Sequence, residues 1–173
     1  KKKKLTEPAY QDIHAEQIPI LKEVFGTVKV ISGEYNGTIG PGKSHTPVLI
    51  MDIRLNPESE ISIPVMDGWN AFGFIYEGDV KSGESLSKGQ LAVYNTEGNV
   101  HFKTNDTQAG IFLVAGKPLN EPVARGGPFV MNTRGEILKA FEDFATNIEP
   151  KLAEYANLLN QKIFSYLRHS RDI

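Results

Sequence analysis

The sequence predicts an all-β domain, a sandwich or barrel, followed by two C-terminal α-helices. Three observations carry this. The 16 Gly and 10 Pro of the 173 residues are scattered rather than clustered, so the backbone turns often. Between those turns, short runs with every second residue apolar recur at roughly 8–12 residue intervals, the rhythm of a sandwich or barrel. Apolar residues fall at helical spacing only after Thr133.

The elements follow in chain order. Lys1 to Lys4 form a charge run that leads, through Pro8 and Pro19, into a linker and lead-in strand over residues 1–27. A solvated tail is the ordinary role of such a run, and a nuclear localisation patch the sharper one. From Val28 the chain reads as strands. Val28 to Ile31 is β-branched and closes on Ser32-Gly33, while Asn36-Gly37 and Gly40-Pro41-Gly42 are turn chemistry, so a short meander is expected. Pro47 to Leu55 alternates, with Val48, Ile50, Asp52 and Arg54 on one face and Leu49, Met51, Ile53 and Leu55 on the other. Ile61, Ile63 and Val65 alternate likewise. Trp69 to Tyr76 is an aromatic-rich strand ending at Glu77-Gly78-Asp79, and further strands fit Val80 to Lys81, Leu91 to Tyr94, Val100 to Lys103 and Ile111 to Ala115. The barrel is expected over residues 28–132 and a helical segment over 133–173. Ile137, Leu138, Phe141 and Phe144 mark the first helix, which Asn132 or Thr133 can cap. A second, from about Pro150 to about Arg168, carries Leu152, Tyr155, Leu159, Ile163 and Tyr166 along one stripe.

Composition narrows the chemistry. Lys and Arg number 19 against 21 Asp and Glu, a net charge of −2, which argues against direct nucleic-acid binding. There are no Cys residues, which excludes disulfides, Cys-ligated zinc, iron–sulfur clusters and thiol nucleophiles. With 40% hydrophobic residues and no run long enough to be a signal peptide or to span a bilayer, the expectation is a soluble intracellular protein with no membrane partner.

His14, His45, His101 and His169 contain no pair at metal-ligating spacing, and neither a phosphate loop nor a Gly-x-Ser-x-Gly elbow is present. Ser44-His45 are adjacent, but a catalytic triad is defined by geometry rather than by adjacency. Glu77 and Asp79 flank a hairpin glycine and read as a solvated turn pair. Trp69, Phe72, Phe74 and Tyr76 admit two readings. Their even-numbered members share a face that could pack the barrel core, or Trp69, Asn70, Phe72, Tyr76 and Tyr94 could line a ligand cavity.

Five blocks together resemble the C-terminal half of pirin-like proteins, two-domain members of the cupin superfamily. They are Leu5–Gln11 (LTEPAYQ), Val30–Glu34 (VISGE), Thr46–Leu55 (TPVLIMDIRL), Ile63–Val80 (IPVMDGWNAFGFIYEGDV) and Phe112–Thr133 (FLVAGKPLNEPVARGGPFVMNT). The last is the most distinctive, and the likeness runs from about Leu5 to Phe144.

The resemblance implies a double-stranded β-helix (cupin) barrel. It also implies an N-terminal cupin domain, absent from this sequence, whose three histidines and one glutamate hold an iron used for quercetin 2,3-dioxygenation or for a redox-dependent role as transcription cofactor. Counted against the metal-bearing cupin pattern, the ligand positions of this half fall on Pro64, Met66, Asn70 and Ile111, with Leu113 beside the last. None is a good first-row ligand. No catalytic residue, metal or cofactor is therefore expected in this chain, and iron only in the N-terminal domain.

The resulting expectation is a metal-free, non-catalytic scaffold or interaction module, cytoplasmic or nuclear. Its alternative is the accessory half of an iron-dependent quercetin 2,3-dioxygenase. The expected partners are the N-terminal cupin domain, a second copy engaged through the C-terminal helices, or a transcription factor. The expected surface comprises Pro128, Phe129, Met131, Leu152, Tyr155, Leu159 and Ile163.

Overall fold

A computed structural model describes residues 10–146. The lysine run, the second helix and its Leu152, Tyr155, Leu159 and Ile163 lie outside the described residues. Two compact units divide between Leu119 and Asn120.

The first unit is built from two antiparallel sheets. Strands β1 (Ile20–Glu23), β2 (Gly26–Ser32), β5 (Val48–Leu55), β7 (Asn70–Glu77), β10 (Leu91–Tyr94) and β12 (Ala109–Gly116) form a six-stranded sheet in the order β1-β2-β5-β12-β7-β10. A four-stranded sheet runs β6-β11-β8-β9, from β6 (Glu60–Ile63), β8 (Asp79–Ser82), β9 (Glu84–Ser87) and β11 (Val100–Lys103). A small hairpin, β3 (Glu34–Tyr35) with β4 (Thr38–Ile39), turns through Asn36 at φ 48° and Gly37 at φ 75°. Positive φ at both central residues is the primed turn that fits the twist of paired strands, and Asn-Gly adopts it readily.

Strand alternation sorts the side chains. On β5, Leu49, Met51, Ile53 and Leu55 are buried while Val48, Ile50, Asp52 and Arg54 face outward, as the sequence pattern requires. Val28, Val30, Ile75, Ile111 and Leu113 join them from the six-stranded sheet, and Ile61, Ile63, Val80, Val100 and Phe102 from the other, in one apolar core. Burying each such Ile, Leu or Phe contributes about 1.5–3 kcal/mol.

The face of β7 is the reverse of the sequence expectation. Ala71 and Ile75 are buried, whereas Phe72 and Phe74 are exposed. The reason is space: between Ala71 and Ile75, the ring of Phe102 reaches across to Gly73, where an added Cβ would lie 2.9 Å from Phe102 Cζ. The small residues of β7 therefore point inward and its aromatics outward.

Strand β1 falls within the lead-in segment over residues 1–27, whereas β9 has no counterpart in the sequence pattern: it is a short sheet edge with one partner, and ESLS carries a single apolar residue to show its face.

In the second unit, β13 (Ala124–Gly126) and β14 (Phe129–Met131) form a hairpin followed by helix α1, residues 134–146. Thr133 is its cap. Glu136 N donates to Thr133 Oγ1 at 3.2 Å and Thr133 N donates to Glu136 Oε2 at 2.9 Å, a reciprocal capping box.

Candidate functional site

The barrel interior is the first place to look for chemistry, and its residues do not fit a metal. Pro64 and Asn70 are exposed, and Met66 is 67% exposed, so three of the positions counted as ligands stand outside the interior. The count is one residue out of step: strand side chains alternate with period two, and the inward neighbours are Ile63, Val65 and Ala71. Ile111 and Leu113 do point inward, fully buried. These five inward positions are thus aliphatic, where a first-row metal requires imidazole, carboxylate or thiolate. Among the described residues, no three His, Asp or Glu converge on a common point. His101 lies outside the interior, 3.2 Å from Ser62 Oγ on the exposed side of β11.

The five residues read as cavity-lining separate. Tyr94 is half-buried, with its ring edge-on to Phe102 at 6.0 Å and its Oη 2.8 Å from Ser82 Oγ. Ser82 donates its hydroxyl proton to the His101 carbonyl at 2.5 Å, so Tyr94 is the donor to Ser82. Burial pushes the Tyr94 phenol above its ordinary pKa. Asn70 and Phe72 face outward, and so does Tyr76, which donates to Asp52. Trp69 alone of the five borders a cleft of about 440 Å³, together with Glu34, Asn36, Pro47, Pro64 and Met66.

Sequence reasoning missed the outer face of the six-stranded sheet. The registers line up two rows across it. Val93 lies opposite Phe72, Phe72 opposite Val114, and Val114 opposite Ile50. In the next row Leu91 faces Phe74, Phe74 faces Phe112, and Phe112 faces Asp52, where the surface turns polar. Phe72 is 36% exposed, Phe74 37%, Leu91 53% and Val93 77%. Beyond this patch, Asp52 meets Lys29 at 3.5 Å, and Glu77 is held by Arg54 at 3.2 Å and Gln108 at 2.7 Å. Glu77 is therefore a bonded member of this outer face rather than a solvated turn residue. The signal was present in the even-numbered aromatics of β7, but its direction was misread.

The expected partner surface on β14 is partly consumed within its own unit. Phe129 packs edge-on against Phe141 at 5.1 Å and Phe144 at 5.7 Å, so that ring is engaged rather than presented. Met131 is half-buried, and Pro128 is exposed.

Comparison with known proteins returns one family. Residues 50–148 match the pirin C-terminal cupin domain. Pirin from Homo sapiens is 39% identical over 147 residues, covering 82% of this chain and 51% of that protein. Pirin-1 from Arabidopsis thaliana is 34% identical over 148 residues, covering 82% and 52%. Among solved structures, quercetin 2,3-dioxygenase from Acinetobacter baumannii superposes with a TM-score of 0.75 at 33% identity, over 83% of this chain and 51% of that one. The chain spans about half the length of the relatives it matches.

Proposed function

This chain belongs to the pirin C-terminal cupin domain family, and from that membership we propose that it is a metal-free, non-catalytic interaction module whose working surface is the outer face of the six-stranded sheet. One observation carries the reading: the interior is closed with apolar side chains, while Phe72, Phe74, Leu91 and Val93 form a contiguous apolar patch on the outside. Patches of this kind mark association sites in soluble proteins. A second cupin barrel is the partner that the twofold length of the relatives suggests, and a second copy of this chain can occupy the same face. Binding a transcription factor, in cytoplasm or nucleus, is the form of this role that the resemblance implies.

Sedimentation velocity tests it. The chain is expected to associate reversibly, and the double variant Phe72→Lys, Phe74→Lys to stay folded and monomeric. A chain that remains monomeric at high concentration, or a variant that associates equally well, would contradict the proposal.

A second reading rests on the superposition with the A. baumannii quercetin 2,3-dioxygenase. Here the chain is the accessory half of an iron-dependent enzyme whose metal lies in an N-terminal cupin domain. It predicts quercetin consumption by a protein of the relatives' full length and none by this chain. Consumption that survives removal of the N-terminal ligands would overturn it.

A further inference from the structure

The cleft at one end of the barrel carries charge of a single sign. It opens where β5 and β7 begin and β6 ends, and Glu34, Asn36, Pro47, Pro64, Met66 and Trp69 are among the residues that line it. Among the described residues, no Lys, Arg or His lines it. Neither the Glu34 carboxylate nor the Trp69 indole N–H has a hydrogen-bond or ion-pair partner among the described residues.

The segments that line the cleft are held by backbone hydrogen bonds. Trp69 N donates to Met66 O at 3.0 Å and Gly68 N to Thr96 O at 2.7 Å, which locks the turn before β7. At Glu34 and Asn36, the primed Asn36-Gly37 turn holds the β3–β4 hairpin, and Gly40 N donates to Gly33 O at 2.8 Å. A cleft of about 440 Å³ is of small-molecule size. Apolar walls beside an unpaired carboxylate and an indole face favour a cation on an apolar body, because the aromatic face and the carboxylate attract positive charge together.

We infer that this cleft binds a small aromatic amine, with its ammonium group at Glu34 and its apolar body against Trp69, Pro47 and Pro64. The site is independent of the sheet face proposed above for partner docking, and either can fail without the other.

Trp69 is the only tryptophan in the chain, so its fluorescence reports on this cleft. The test is a titration of the full chain with 2-phenylethylamine and with its uncharged counterpart 2-phenylethanol, exciting indole alone. The amine is expected to change the emission saturably at millimolar concentration or below, and the alcohol to bind at least about tenfold more weakly. Glu34→Gln is expected to reduce amine affinity by about tenfold and leave the alcohol unaffected. Met66→Lys, at an exposed position outside the core, gives a second check by placing a competing ammonium in the cleft, and should abolish amine binding. Equal responses to amine and alcohol, no saturable response, or an unchanged affinity in both variants would overturn the inference. So would tighter binding of Nα-acetyl-lysine amide than of 2-phenylethylamine, which would assign the cleft to a peptide side chain.

Discussion

Tyr76 Oη donates to Asp52 Oδ1 at 2.5 Å, reaching from β7 to β5 across the intervening strand β12. The phenol can cross because β12 carries Gly110 at that point, where an added Cβ would lie 2.4 Å from Tyr76 Cε2. The register slips between Gly110 and Ile111 at the same place. Asp52 is also paired with Lys29 at 3.5 Å, so one carboxylate ties together three strands on the outer face.

Gly110→Ala is therefore expected to push the Tyr76 ring off Asp52. Losing this charge-assisted bond and crowding the ring should cost about 1–3 kcal/mol. Urea denaturation measures it. Gly116→Ala, where the nearest atom to an added Cβ is 3.6 Å away, is the control and should change stability little.

The tyrosines make stability fall in alkali. Burial, then the bond to Asp52 and its negative charge, pushes the Tyr76 phenol well above the ordinary tyrosine range. Burial and the charge of Glu23 raise Tyr35, and burial raises Tyr94. Because these folded-state values lie above the unfolded ones, the stabilisation is complete below the unfolded pKa of about 10 and is lost as pH rises through the folded values. Unfolding free energy should decline above about pH 10, and more shallowly in Tyr76→Phe. Parallel alkaline declines in the two proteins would show that Tyr76 does not contribute.

Thr133→Ala removes the side-chain acceptor for Glu136 N at the start of α1. A lost cap of this kind costs about 1 kcal/mol. The expected readout is faster amide hydrogen exchange over the first turn of α1, with the barrel strands unchanged.

Much of this architecture was legible in the sequence, and the parts that were not share a cause. The alternation in Val48 to Leu55 places every side chain of β5 on its observed face, because one face of that run is apolar throughout. Trp69 to Tyr76 offers no such contrast: both faces carry apolar residues, Ala71, Gly73 and Ile75 on one and Phe72, Phe74 and Tyr76 on the other, and size alone suggested that the aromatics lay inside. Only Phe102, distant in sequence and on the other sheet, shows why Gly73 must face inward. The same one-residue step displaced the expected ligand positions to Pro64, Met66 and Asn70. The apolar outer face was hidden for a different reason. It is assembled from β5, β7, β10 and β12, whose adjacency is a matter of sheet order rather than of sequence.

The barrel interior is lined with hydrocarbon side chains at the inward positions matched to metal ligands, and the proposal that it takes up no catalytic metal stands on that lining. The direct measurement is elemental analysis of the purified, folded chain after exposure to excess iron, nickel, manganese and zinc followed by desalting. The structure predicts far less than one equivalent of any of them per chain, and a stoichiometric metal that survives desalting would contradict it.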